Sequence, residues 1–239
     1  MFNPNYLYLL GVLFAAPCAH SAVVLAGWDF AGMDGAAAAV NATSLAANVN
    51  SAAITRGAGA GGEAIWNNNT NGFNHSSFSF ATLDAAKSNN VYYQWTVSSS
   101  SAVISLETLN YSVYAQGNGA NPQLLSGTVE YSLDGFSTAG AAIHSFSGVS
   151  VSGWGNIVAN QQTADLTAVS SLQNITAGTT VTFRFFGYNG ESWTAQGIGG
   201  ATGNSLEVLG TALVPEPGAY AVLAALCTLA LALLRRRKQ

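Results

Sequence analysis

Residues 180–188 read TVTFRFFGY, and this stretch sets the fold class of the chain. Val181, Phe183 and Phe185 fall on one side of an extended segment, and the residues between them fall on the other. A period of two is typical of a β-strand. Arg184 is the only charged residue in the stretch. Because a buried charge must be paired, we expect Arg184 to have a carboxylate partner and a structural role.

The same alternation recurs along the central part of the chain. Trp95 alternates with apolar residues and is therefore expected in the core. Further strand-like segments lie at 73–80, 91–97, 101–115, 128–133 and 204–211.

The segments between these strands carry turn signals. Asp134-Gly135 predicts a two-residue hairpin turn. The Ala-rich stretch 35–53 is either a short helix or, at least as well supported, a loop or irregular strand region, and no segment has a convincing amphipathic helical pattern. We therefore predict an all-β fold, an antiparallel two-sheet β-sandwich of jelly-roll-like type.

Charged residues and cysteines are unevenly distributed. Residues 23–213 contain ten acidic side chains and only three basic ones, Arg56, Lys87 and Arg184. Such a segment lacks the basic surface that phosphate backbones require, so nucleic-acid binding is not expected. Both cysteines, Cys18 and Cys227, lie in apolar terminal segments. The central domain therefore has no thiol for a disulfide, a metal site or a nucleophile.

The start of the chain reads as a secretory signal peptide. An apolar run, YLYLLGVLFAA at 6–16, is followed by the small-residue segment PCAHSA at 17–22. This length and ending predict a signal peptide over 1–22, cleaved next to Ala22, although no Lys or Arg precedes the run.

Three tryptophans are candidates for ligand binding. An exposed indole face can stack on a sugar ring, and the candidates Trp66, Trp154 and Trp193 lie in polar or Gly-rich loop sequence. The alternative is ordinary packing beneath loops, which is the commoner role of such side chains.

Other polar residues carry weaker signals. Asp29 and Asp34 are a weak candidate Ca²⁺ site, since Ca²⁺ takes oxygen ligands; the alternative is local capping and a turn. No other metal and no cofactor is expected. His75 and His144 are interpreted as surface strand residues.

Two glutamates are the candidate catalytic pair of the central domain. Glu107 and Glu130 lie on predicted strands and could face each other as in a glycosidase. The alternative is that both point to solvent, and we favour a protein that is not an enzyme.

The C-terminal segment has three parts. Pro215 and Pro217 bias the chain toward extended geometry. Residues 218–234 are seventeen uncharged residues, and a helix of this length measures roughly 25 Å, the short end of a membrane span. A basic tail follows, which would hold the domain outside the membrane; it consists of Arg235, Arg236, Arg237 and Lys238.

VPEP, a short apolar span and a terminal arginine cluster together resemble the PEP-CTERM sorting signal of bacteria that make extracellular polysaccharide. The resemblance implies that Pro215, Glu216 and Pro217 are recognised by a membrane protease of the exosortase type. That protease would remove the span and pass the protein outward. More loosely, LAGWDF (25–30), YSLDGF (131–136) and VTFRFFGY (181–188) are similar to exported β-sandwich domains that precede such tails.

The chain is therefore divided into a signal peptide (1–22), an extracellular domain (23–213) and a sorting segment (214–239). We expect a non-catalytic exported protein of the cell envelope or extracellular matrix. It would be anchored in the inner membrane at first and then reach the cell surface or the exterior. One alternative is a carbohydrate-binding module of the exopolysaccharide matrix. A less favoured alternative is a polysaccharide-degrading enzyme.

Overall fold

A computed structural model describes residues 21–62, 71–76, 80–116, 123–151, 159–188, 195–200, 204–213 and 228. The predicted signal peptide up to residue 20 and the predicted sorting segment, Thr228 apart, lie outside these ranges. Within them, no helix has the length and apolar character needed to cross a membrane.

The described residues form two β-sheets. The first sheet contains β1 (Val23–Asp29), β2 (Met33–Gly35), β4 (Ser44–Leu45), β7 (Gly61–Gly62), β8 (Asn71–Ser76), β10 (Val103–Gln116), β13 (Asn160–Asp165), β15 (Ala195–Gly199) and β16 (Asn204–Leu213). The second sheet contains β3 (Ala39–Val40), β5 (Val49–Asn50), β6 (Ile54–Arg56), β9 (Tyr93–Ser99), β11 (Gln123–Ser132), β12 (Ala141–Val151) and β14 (Thr180–Tyr188).

Strand order places the long strands at the centre of each sheet. The first sheet runs β2-β8-β15-β10-β16-β1-β4, with β13 also on β10 and β7 also on β8. The second runs β12-β11-β14-β9-β6-β3, with β5 also on β9. The pairs between strands are antiparallel except for β2 with β8. The predicted all-β class with two antiparallel sheets is confirmed.

Both sheets contribute to one apolar core. Val181, Phe183 and Phe185 are fully buried, as the alternation of residues 180–188 predicts. Phe183 stacks on Trp95 of the neighbouring strand with ring centroids 5.5 Å apart. Tyr111 of the first sheet meets Phe185 of the second at 5.6 Å. Residues 180–188 thus form a central strand whose aromatic face contacts the opposite sheet.

Two local features are not predicted, or not decided, by the sequence: a short helix and the conformation of residues 35–53. A six-residue helix, α1 (Leu83–Ser88), packs against β14, although no helix was expected outside 35–53. The backbone N–H of Ala85 donates to the side chain of its N-cap, Thr82, at 3.2 Å. Residues 35–53 contain the end of β2 and the short strands β3, β4 and β5, which confirms the irregular-strand alternative for that stretch. The six residues of α1 are too few for a helical period to be visible in the sequence.

The prediction that His75 and His144 are surface strand residues is wrong for His75, whereas His144 is partly exposed on β12. His75 is buried beside Tyr93, with ring centroids 5.1 Å apart. His144 is half-buried, and its Nδ1 lies 2.7 Å from the hydroxyl of Tyr111. Burial raises the pKa of Tyr111, so this phenol stays protonated and can donate to the neutral imidazole.

The stability of the fold is expected to fall as the pH drops below about 6.5, the ordinary pKa of histidine. Burial lowers the pKa of His144 in the folded protein. The unfolded chain therefore binds a proton first, and stability present above the unfolded pKa is lost as the pH falls through the folded pKa. Urea unfolding at about pH 7.5 and about pH 5.5 measures this difference. In His144→Asn, whose side-chain oxygen can still accept from Tyr111, the loss should shrink; an undiminished loss would assign it to another group.

Candidate functional site

The outer face of the second sheet carries an open pocket of about 300 Å³ beside α1. This volume lies at the low end of the range for small-molecule sites, roughly 300–1,000 Å³. We name it the arginine pocket. Its walls are residues 137–140 together with Lys87, Tyr92, Glu130, Phe136, Arg184 and Phe186.

A row of polar side chains crosses three strands at the floor of the arginine pocket. Arg184 on β14 is opposite Glu130 on β11 and opposite Gln94 on β9. Residues paired in register share one face of a sheet, so the row follows directly from the antiparallel pairing. The same pleat that buries Phe183 and Phe185 turns Arg184 outward.

Aromatic rings cover the guanidinium of Arg184. Its Cζ lies 4.1 Å from the ring centroid of Tyr92 and 4.1 Å from that of Phe136. The Nε donates to the side-chain oxygen of Gln94 at 2.8 Å. Within the described part of the chain the expected carboxylate partner is therefore wrong: cation–π contacts and an amide hold this charge instead.

Glu130 is the buried acid of the arginine pocket. It is only 5% exposed, so the alternative that both Glu107 and Glu130 point to solvent is wrong for Glu130. The ammonium group of Lys87, in the last turn of α1, donates to Oε1 of Glu130. The Lys87 Nζ also lies 5.6 Å from the ring of Phe186. The unpredicted helix thus brings a cation to an acid that is 43 residues away in sequence.

The loop between β11 and β12 forms the rim of the arginine pocket. It covers 133–140, so the predicted two-residue turn at Asp134-Gly135 is wrong. Phe136 has a φ of 66°, a left-handed conformation that is strained for an aromatic residue. Its backbone N–H donates to Ser132 Oγ at 2.8 Å. This bond holds the Phe136 ring over Arg184.

Asp134 is exposed but organises the same loop. One carboxylate oxygen accepts from the Ser132 hydroxyl at 2.6 Å, and the other accepts from the Thr138 hydroxyl at 2.7 Å. These hydrogen bonds, that of Ser132 first, lower the pKa of Asp134. Glycine at position 140 is required because any side chain there would overlap the Phe136 ring. Hydrogen bonds and close packing therefore give the rim of the arginine pocket a defined loop conformation, not that of an extended hairpin end.

Most of the predicted site residues lie elsewhere. Trp66, Trp154 and Trp193, the basic tail and the Pro215–Pro217 motif are all outside the described residues. Asp29 accepts from the backbone N–H of Ala31 at 2.9 Å, a local turn contact. The side chain of Asp34 is not among those described. Across the described ranges, no group of three or more His, Cys, Asp or Glu side chains could hold a metal ion.

The proposed carboxylate pair is split between the two sheets. Glu107 lies in β10 of the first sheet, at a register shift between Leu106 and Thr108, and does not line the arginine pocket. Its backbone carbonyl accepts from the N–H of Leu166 at 2.9 Å. Glu130 lies in the second sheet with Lys87 bound to it. The described residues therefore give no geometric support for a glycosidase pair.

Sequence reasoning identified Arg184 as unusual but not the pocket around it. The signal that could have found the pocket is the scarcity of basic residues. Between residues 23 and 213 the chain has three, and two of them, Lys87 and Arg184, line this one cavity.

Comparison of the chain with protein-family models, with curated proteins and with solved structures finds no match.

Proposed function

We propose that this chain is a non-catalytic, exported protein of the cell envelope or extracellular matrix, sorted through its C-terminal segment. Support comes from the order of features after residue 213: Pro215-Glu216-Pro217, a seventeen-residue uncharged stretch, and four basic residues. Further support comes from the apolar run at 6–16. Between the two ends lies an all-β domain, for which we propose a jelly-roll-like sandwich.

The sorting proposal predicts that the mature protein ends near residues 215–217. Mass spectrometry of the released protein should find this C-terminus, because an exosortase-type protease would cut at the extended Pro-Glu-Pro segment. A chain with Pro215→Ala and Pro217→Ala should keep its tail and stay with the membrane. Released wild-type protein that still carries Arg235–Lys238 would contradict processing and favour a permanent anchor.

For the domain itself, the arginine pocket supports a second candidate function, a carbohydrate-binding module. The observation that carries it is the combination of aromatic rings with two cations in one open cavity. Sugar sites pair aromatic surfaces, which cover the apolar C–H faces of a ring, with polar groups that fix its orientation.

A screen of the purified protein against immobilised glycans tests the carbohydrate-binding function. The variants Trp154→Ala and Trp193→Ala test the tryptophan platform separately, and Arg184→Gln tests the arginine pocket. Binding that survives both tryptophan changes and is lost with Arg184→Gln would place recognition in the arginine pocket. No binding by the intact protein would contradict this function and leave the sorting proposal untouched.

A further inference from the structure

We infer that the arginine pocket binds a carboxylate-bearing sugar, a uronic acid residue of an acidic polysaccharide. The inference rests on the proposed carbohydrate-binding function and names its ligand class. It starts from charge. Residues 23–213 carry ten acidic side chains, so the domain as a whole repels anions. An anionic ligand is held best where cations are concentrated, and the arginine pocket contains two of the three basic residues of this segment.

The ring contacts and hydrogen bonds of Arg184 support an anionic ligand. Two aromatic rings lie 4.1 Å from the guanidinium carbon, and Nε donates to Gln94. Among the described residues, neither terminal nitrogen of Arg184 donates a hydrogen bond. Guanidinium N–H groups in a fixed plane match the two oxygens of a carboxylate. Because Tyr92 and Phe136 already fix that plane, little side-chain entropy is lost when a ligand binds.

Lys87 and Glu130 complete the charge balance of the arginine pocket. Glu130 accepts from Lys87, and among the described residues no carboxylate pairs with the guanidinium of Arg184. With two cations and one acid, the described lining residues carry a single net positive charge. A monoanionic carboxylate neutralises this excess, whereas a neutral sugar leaves it unchanged. The rings of Phe136 and Phe186, which also line the cavity, supply apolar surface for the sugar ring.

The test compares a trimer of galacturonic acid with its methyl ester, using titration calorimetry on the purified full-length chain. The ester keeps the ring and removes the charge. We expect the acid to bind at least about tenfold more tightly than the ester, the effect of losing one charge-assisted hydrogen-bond pair. Acetate at the same concentration should not displace the trimer, because it lacks the sugar ring.

Two variants locate the site. Arg184→Gln keeps a side chain that can reach Gln94, and it should weaken binding of the trimer about tenfold or more. Ala168→Glu changes the net charge by the same amount at an exposed turn after β13, and it should leave binding within about twofold.

Three results would overturn the inference: equal binding of acid and ester, displacement by acetate, or unchanged binding in Arg184→Gln. A domain that binds neutral glycans but no uronate would overturn the ligand class alone and preserve the carbohydrate-binding function. Circular dichroism of Arg184→Gln separates lost binding from lost folding. If this variant is misfolded, Tyr92→Leu, which removes one of the two rings from the guanidinium, replaces it and should also weaken binding of the acid.

Discussion

Trp95→Ala is expected to lower the free energy of unfolding by about 3–5 kcal/mol, the range for truncating a buried aromatic residue. Trp95 is fully buried on β9 and stacks on Phe183 of β14. Removing the indole ring leaves a cavity between two central strands and takes away one partner of the stack. A rigid, hydrogen-bonded sheet cannot relax enough to fill such a cavity. The loss of stability is therefore expected near the upper end of the range measured for single substitutions.

Two companion variants sharpen this prediction. Within the described residues, the indole N–H of Trp95 is buried without a hydrogen-bond partner. Trp95→Phe therefore removes volume but no hydrogen bond, and it should cost clearly less than Trp95→Ala. Leu124→Ala, on the exposed side chain of β11, should change stability by no more than about 0.5 kcal/mol. Urea unfolding followed by circular dichroism measures all three, and equal losses for Ala and Phe at position 95 would contradict the packing argument.

Gly197→Ala is expected to destabilise the protein by about 1–3 kcal/mol, the usual cost of overpacking. Gly197 on β15 is opposite Tyr114 on β10, and a Cβ at 197 would overlap the Tyr114 ring. The same ring also excludes a Cβ at Gly72 on β8. Tyr114 is fully buried, so its ring cannot swing into solvent to relieve the clash.

A double-mutant cycle isolates this contact. Tyr114→Ala alone should cost about 3–5 kcal/mol because a buried aromatic ring is lost. In the Tyr114→Ala background, adding Gly197→Ala should cost little more, since the overlapping ring is gone. The resulting coupling between the two sites is the measured quantity. If the two losses of stability are additive, Gly197 is required for its backbone conformation, and overlap with the Tyr114 ring is not the cause of the loss.

The long strands could be predicted from sequence because apolar residues recur at every second position along parts of them. β9 alternates between buried and half-buried residues throughout. β14 places Val181, Phe183 and Phe185 inward, although Thr182 and Phe186 on its other face are buried as well. The two-residue strands β3, β4 and β5 could not be predicted. They exist only because distant strands pair with them, and so short a segment has no period of its own.

The arginine pocket was beyond sequence reasoning for a similar reason. Its acid and its lysine are far apart in the chain, and α1 has only six residues. The ring of Phe136 reaches Arg184 only because the backbone at Phe136 adopts a positive φ, which is rare for such a residue. Arg184 alone was visible, as a charge within an aromatic strand, but its partners depended on pairing and loop geometry.

The place of β16 has a consequence for how the chain folds. Residues 204–213 form the last described strand, yet they lie between β10 and β1 in the middle of the first sheet. A chain growing from its N-terminus cannot complete this sheet until these residues have been synthesised. Before then, one edge each of β1 and β10 is unpaired, and unpaired edges promote aggregation. Assembly of the domain is therefore expected to be slow and largely post-translational, with β16 inserted as the closing step.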